Sequence, residues 1–242
     1  MHGPFMGEFM GTLVLVLLGD GVVANVLLKR SKGENSGWIV IATAWGMAVV
    51  AGICTAVACG SPAAHINPAV TLAAALLSKN WSNVLPFWGA QLLGAFVGAI
   101  LVWLAYLPHW PETEDQGKKL GIFCTIPAIR KLPANILCEI IGTICLIVVG
   151  FSFGSKSWTQ ALAPGFNPWF WGVLVWVIGL SLGGPTGYAI NPARDLGPRV
   201  AHALLPVKGK GGSDWGYSLV PIVGPLVGAA LSALIIKLVG IS

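Results

Sequence analysis

Two short stretches decide how this chain is read: HINPAV at residues 65–70 and AINPAR at residues 189–194. Each sets Asn-Pro-Ala ahead of a short apolar run, AVTLAAALL at 69–77 and ARDLGPRVAHALL at 193–205. Asn is a favoured helix cap, and Pro is tolerated at the first helical position because its missing N–H has no helical partner there. Asn67-Pro68 and Asn191-Pro192 therefore predict helix starts. The runs behind them are shorter than the roughly 20 residues a bilayer-spanning helix needs. One such turn reads as a cap beside a kink, but a matched pair asks what the rest of the chain repeats.

The flanking sequence repeats too. EFMGTLVLVLLG at 8–19 matches EIIGTICLIVVG at 139–150, and GAFVGAIL at 94–101 matches GPLVGAAL at 224–231. Six apolar stretches are long enough to span, at about 4–28, 38–58, 84–107, 134–154, 168–187 and 215–241. Three spans per half is an odd number, so the second half enters the membrane from the opposite side, as in the inverted repeats of solute pathways. The expected fold is an all-α membrane protein: six transmembrane helices plus two re-entrant half-helices in an inverted repeat. Residues 1–242 form a single unit, with repeats at about 4–107 and 134–241. The segment 108–133, with Pro108, Pro111, Pro127, Pro133 and clustered charge, is expected to be a long exposed loop between them.

Composition agrees. The chain is 55% hydrophobic and 10% charged, against about a quarter charged in soluble domains. The first span lacks a basic start and contains Glu8, so it does not read as a signal peptide. The net charge of +5 lies in loops flanking spans and forms no nucleic-acid stripe. The five cysteines show no metal-ligand spacing, and no nucleophile–base pair or phosphate loop is present. No enzyme activity, metal or cofactor is expected.

Inverted symmetry points the two half-helix starts at each other near the midplane. Two facing N-termini present unpaired amides and positive dipole ends. Irregular backbone at that depth is tolerable only against protein or a water-filled cavity. Asn67 and Asn191 can then donate hydrogen bonds to a passing oxygen while the field repels cations and protons.

The paired motifs Asn67-Pro68-Ala69 and Asn191-Pro192-Ala193, the repeated Glu-x-x-Gly-Thr, and NPARDLGPR at 191–199 resemble the aquaporin superfamily, and its glycerol-facilitator branch in particular. The resemblance covers about residues 4–241. It implies a homotetramer in the plasma membrane (the inner membrane in a bacterium), with one pore per subunit passing glycerol, other small neutral solutes and some water. It further implies that Arg194 lines an outer constriction and donates hydrogen bonds to permeating hydroxyls. A guanidinium inside an apolar bundle is a functional candidate in any case, the alternative being a structural ion pair with Asp195. Tyr188, three residues before Asn191, matches a position aromatic in glycerol facilitators. Gly179, twelve before Asn191, matches one where a small residue widens the pore.

The fourth member of that filter is expected to be Trp45. It lies 22 residues before Asn67, about two more than in related channels, which leaves Met47 or a merely interfacial Trp45 as alternatives. Asp195, Arg199 and Pro221 fit the glycerol branch. Tyr188 in place of the usual Phe adds a hydroxyl that can tighten the pore or bond solute, and Ile126 stands near where the branch often has Tyr. His65 matches a pore-lining position, read either as a pH gate or as a neutral group bonding the re-entrant backbone. Glu8 and Glu139 read as proton relays in a coupled transporter, or as braces of the re-entrant loops. Asp20, between Gly19 and Gly21, is expected near an interface without a function.

A glycerol pore thus competes with a water-selective pore and with a proton-coupled transporter. Charge raises one conflict. Termini inside the cell, as the resemblance implies, leave Lys79, Lys156 and Lys237 inside and nine cations, Lys29 to Lys210, outside. The positive-inside rule favours the reverse.

Overall fold

The structure, a computed structural model, describes residues 2–159 and 165–241. Ten α-helices occur among them: α1 Pro4–Leu27, α2 Trp38–Ala58, α3 Pro68–Ser78, α4 Val84–Ala105, α5 Gln116–Phe123, α6 Leu132–Ser152, α7 Lys156–Thr159, α8 Asn167–Leu182, α9 Pro192–Leu204 and α10 Leu219–Val239. No strand occurs among the described residues. Helices α1, α2, α4, α6 and α10 are long and apolar enough to cross a membrane. The sixth crossing, α8, is shorter than the sequence predicts. Its 16 residues rise about 24 Å, and Gly183-Gly184-Pro185 ends it, since Pro disfavours a helical residue before it.

The bundle buries polar and charged groups within its apolar core and turns large apolar side chains outward. Glu8, Gln91, Glu139, Asp195 and Arg199 are buried, whereas Leu85, Leu93, Leu137 and Leu234 are more than half exposed. Water would penalise that outward face, and lipid does not. Where helices cross, small residues let backbones meet, as expected when lipid supplies no hydrophobic drive between them. A Cβ added at Gly94 of α4 would lie 2.3 Å from the Phe9 carbonyl oxygen of α1. One at Gly224 of α10, the position that matches Gly94, would lie 2.6 Å from Glu139 Cβ of α6. The glycine positions that match in sequence thus serve the same crossing in each half.

The half-helices α3 and α9 have 11 and 13 residues, about 16 and 20 Å of rise, so two placed end to end can cross a bilayer. Asn67 caps α3 by accepting from the Ala69 N–H at 2.8 Å, and Asn191 caps α9 by accepting from the N–H groups of Ala193 and Arg194 at 3.1 and 3.2 Å. Their free ends are held by lysines. Lys237 donates to the Leu76 carbonyl of α3 at 2.9 Å, and Lys210 donates to the carbonyls of His202, Ala203 and Leu205 at the end of α9. Cations there suit the negative helix end.

The segment 108–133 joins the two halves and is exposed at both its ends, but its middle is not the exposed loop that its prolines and charges predict. Trp110, Ile122, Phe123 and Cys124 are fully or almost fully buried, and Trp110 stacks on Phe123 with centroids 5.7 Å apart. Asp115 caps α5 by accepting from the Lys118 N–H at 3.0 Å. These apolar side chains draw the segment back onto α1 and α9, which brings it to the site.

Candidate functional site

A cavity of about 470 Å³ runs through the bundle. At the end near the chain termini it is lined by Val57, Pro62, Phe151, Asn167 and Pro168. His65, Ile66, Asn67, Ile190 and Asn191 line its middle, and Trp45, Tyr188 and Arg194 its far end, on the α5 side. Both Asn-Pro-Ala turns and three of the four expected filter residues therefore meet along one passage.

The turns are locked to each other. Asn67 Nδ2 donates to the Ile190 carbonyl, and Asn191 Nδ2 donates to the Ile66 carbonyl, each at 2.9 Å. A carboxamide carries two N–H donors, so each Asn keeps a second for a solute. The loops leading in are strained alike. Ala64, Ile66, Tyr188 and Ile190 have φ of 43°, 44°, 39° and 43°, values that cost a non-glycine residue about 1–3 kcal/mol unless its surroundings hold it there.

Glu8 and Glu139 do the holding. Glu8 accepts from the backbone N–H of His65 and Ile66 at 2.8 and 2.7 Å, from Ser61 Oγ at 2.7 Å and from Gln91 Nε2 at 2.8 Å. Glu139 accepts from the backbone N–H of Ala189 and Ile190 at 3.0 and 2.8 Å and from Thr186 Oγ1 at 2.7 Å. Neither glutamate lines the cavity.

At the α5-side end, the Arg194 guanidinium carbon lies 4.2 Å from the Trp45 ring centroid. Trp45, rather than Met47, faces the passage. Helix α2 continues unbroken to Ala58, so the extra length before Asn67 is taken up in the loop after it. The Arg194–Asp195 ion pair does not form. Adjacent helical residues do not face each other, whereas residues four apart do. Asp195 accordingly pairs with Arg199, Oδ1 to Nε 2.8 Å, both side chains fully buried. Arg194 instead donates from Nη1 to the Phe123 carbonyl at 3.3 Å, and its Nη2 lies 3.5 Å from Asp20 Oδ1. Asp20 is fully buried in the bundle beside Arg194.

Gly179 does not line the cavity. A Cβ there would lie 2.7 Å from Tyr188 Cζ and 2.8 Å from its Oη, and one at Gly183 would lie 2.5 Å from Tyr188 Cδ1. These two glycines, one helical turn apart, form the slot that takes the Tyr188 ring. Trp38 closes it, edge-on to Tyr188 at 5.8 Å, with its Nε1 donating to the Gly179 carbonyl at 2.9 Å. The Tyr188 hydroxyl is buried against Gly179, leaving the ring to face the passage.

His65 bonds the Thr71 hydroxyl at 3.2 Å rather than the re-entrant backbone, and sits edge-on to Phe87. Asp195 Oδ2 accepts from the backbone N–H and hydroxyl of Thr125, both at 2.8 Å, while Arg199 donates to the carbonyls of Thr125, Ser213 and Asp214. This buried pair pins the segments after α5 and before α10 onto α9 and so sets the Phe123 carbonyl against Arg194. Ile126 is partly exposed and lies outside the cavity lining. Sequence reasoning gave Asp20 no function and missed Phe123, Thr125 and Gly183. Only Gly183 left a local signal, its four-residue spacing from Gly179.

Residues 2–236 match the family described as Major intrinsic protein. The chain belongs to the major intrinsic protein family. It is 57% identical over 230 residues to the “Probable glycerol uptake facilitator protein” of Thermotoga maritima, covering 95% of this chain and 96% of that protein. It is 53% identical to “Glycerol uptake facilitator protein 3” of Lactiplantibacillus plantarum over 95% of this chain and 94% of that one. Among solved structures it resembles the aquaglyceroporin of Plasmodium falciparum, with TM-score 0.85 and 29% identity over 99% of this chain and 98% of that one. Like other major intrinsic proteins it is an integral membrane channel and not an enzyme.

Proposed function

We propose that the chain is a passive pore for glycerol and other small uncharged polyols, with some water permeation, that excludes ions and protons. The observation that carries this is the two-sided constriction, in which the apolar rings of Trp45 and Tyr188 share one passage with the Arg194 guanidinium. A polyol is two-sided as well. Its carbon–hydrogen edge can slide along the rings while successive hydroxyls bond to Arg194, to backbone oxygens and to the second amide hydrogens of Asn67 and Asn191. The relatives named for glycerol uptake support the same solute. The facing N-termini of α3 and α9 place positive dipole ends at mid-passage, which disfavours cations and protons.

Two alternatives lose ground. A water-selective pore would be favoured by a Tyr188 hydroxyl that narrows the opening, but that hydroxyl is buried against Gly179. A proton-coupled transporter needs relay carboxylates open to the passage, whereas Glu8 and Glu139 are buried and occupied by loop donors. Residues 1–242 act as one channel unit, assembled as a homotetramer in the plasma membrane with the α5 side outward.

Stopped-flow light scattering on reconstituted proteoliposomes tests the reading. Glycerol should equilibrate well above the rate of protein-free vesicles, and equal rates would overturn the proposal. In the same assay Gly179→His should cut glycerol flux more than water flux, because any side chain at 179 drives the Tyr188 ring toward the passage. Equal losses would remove Gly179 and Tyr188 from the filter.

A further inference from the structure

Asp20 lies in the α5-side half of α1, with no exposed surface, between two glycines. Neither of its carboxylate oxygens makes a hydrogen bond to the described residues, and the group it meets is Arg194 Nη2, 3.5 Å from Oδ1. Its neighbour Gly19 brings α1 against the opposite side of the same arrangement. A Cβ at 19 would sit 2.3 Å from Trp45 Cη2, the ring over which Arg194 lies. The guanidinium is thus held from three directions: by Asp20 on α1, by Trp45 on α2 and by the Phe123 carbonyl at the end of α5. Trp45 and Arg194 line the passage and Asp20 does not.

A buried carboxylate in a membrane helix is costly and is retained where it has a task. The charges near the constriction are Arg194, Asp20, Asp195 and Arg199. Asp195 and Arg199 cancel in their own pair, so the charge presented to a solute is set by Arg194 with Asp20. We propose that Asp20 is a specificity-determining positioning residue. It fixes the Arg194 guanidinium from behind and cancels its net charge, so that the constriction offers hydrogen-bond donors to neutral hydroxylated solutes without drawing in small carboxylate anions. The proposal rests on the polyol reading for its favoured solute. Its anion readout stands apart from that reading.

The test compares wild type, Asp20→Asn and Asp20→Glu in proteoliposomes, measuring glycerol and water by stopped flow and uptake of labelled lactate at pH 7.5, where lactate is an anion. Asp20→Asn keeps the shape and removes the charge. It should raise lactate-anion uptake and lower the glycerol-to-water permeability ratio, each by about tenfold, the equivalent of roughly 1.4 kcal/mol. Asp20→Glu should keep anions out, which separates charge from packing. In an Arg194→Ala background, adding Asp20→Asn should leave the glycerol-to-water ratio unchanged, because no guanidinium remains to be positioned. An Asp20→Asn channel with unchanged anion uptake and unchanged ratio would overturn the proposal, since the carboxyl would then contribute no charge to the filter. An equal fall in that ratio with and without Arg194 would overturn it too, by assigning Asp20 to packing alone. Wild-type vesicles impermeable to glycerol would instead sink the polyol reading and leave the anion comparison to judge Asp20.

Discussion

The loops that lead into α3 and α9 are built from the same parts, and only one of them ends in charge. Both have an Asn cap whose amide reaches the opposite loop, two left-handed non-glycine residues and a buried glutamate that accepts from consecutive backbone N–H groups. Past the Asn-Pro-Ala turns the halves diverge. Val70, Thr71 and Ala75 of α3 stand at the repeat positions held in α9 by Arg194, Asp195 and Arg199. Thr71 serves neutral local bonds to His65 and Gln91, while Asp195 and Arg199 anchor two loops across the α5 side. The duplicated parts make the passage; the unduplicated ones make a constriction at one end of it.

That division can be broken first where the charge lies. Asp195→Ala leaves Arg199 buried without its partner and frees Thr125, so it should cost about 3–5 kcal/mol, the range for orphaning a buried charge. Thr71→Val, at the matching position, removes neutral hydrogen bonds and should cost about 1–3 kcal/mol. Thermal unfolding of the detergent-solubilised channel compares the two, and equal losses would show that the α9 pair is not the stronger anchor. The glutamates should differ less. Glu8 accepts four hydrogen bonds and Glu139 three, the extra one from Gln91. Glu8→Gln should therefore be worse than Glu139→Gln by about one net bond, roughly 1 kcal/mol. The reverse order, read in the same melts, would show that Gln91 adds nothing.

The duplicated half of this scheme was legible because its causes are local. Asn caps, Pro at the first helical position and a Gly every four residues act within one turn of helix, and they recur in both halves. The filter was legible only by resemblance, and its supports were not. Asp20 meets Arg194, and Phe123 its guanidinium, only after the bundle closes. The cations that set charge bias against family orientation also have uses that a count does not show. Lys29 pairs with Glu34, Arg30 with Glu112 and Arg130 with Asp214, while Lys119 and Lys210 hold backbone carbonyls. Many of them are structural anchors of the two long α5-side loops, a use that composition does not reveal.

The smallest effect expected lies at the rim of that same side. Arg130 donates to both Asp214 oxygens, at 2.7 and 2.8 Å, and lies over the Tyr217 ring, while the Asp214 carbonyl accepts from buried Arg199. The hydrogen bonds from Arg130 hold the Asp214 carboxyl below its ordinary range. A depressed carboxylate stabilises the fold above its unfolded value, about 3.9, and the contribution is lost as pH falls through the lower folded value. Partly exposed pairs are screened, so the loss should be slight. Acidifying from pH 6 to pH 3 should therefore lower the melting temperature of wild type slightly more than that of Asp214→Asn, which has no carboxylate to protonate. An identical acid response in wild type and Asp214→Asn would show that Arg199, holding the Asp214 backbone, fixes the loop without help from Arg130.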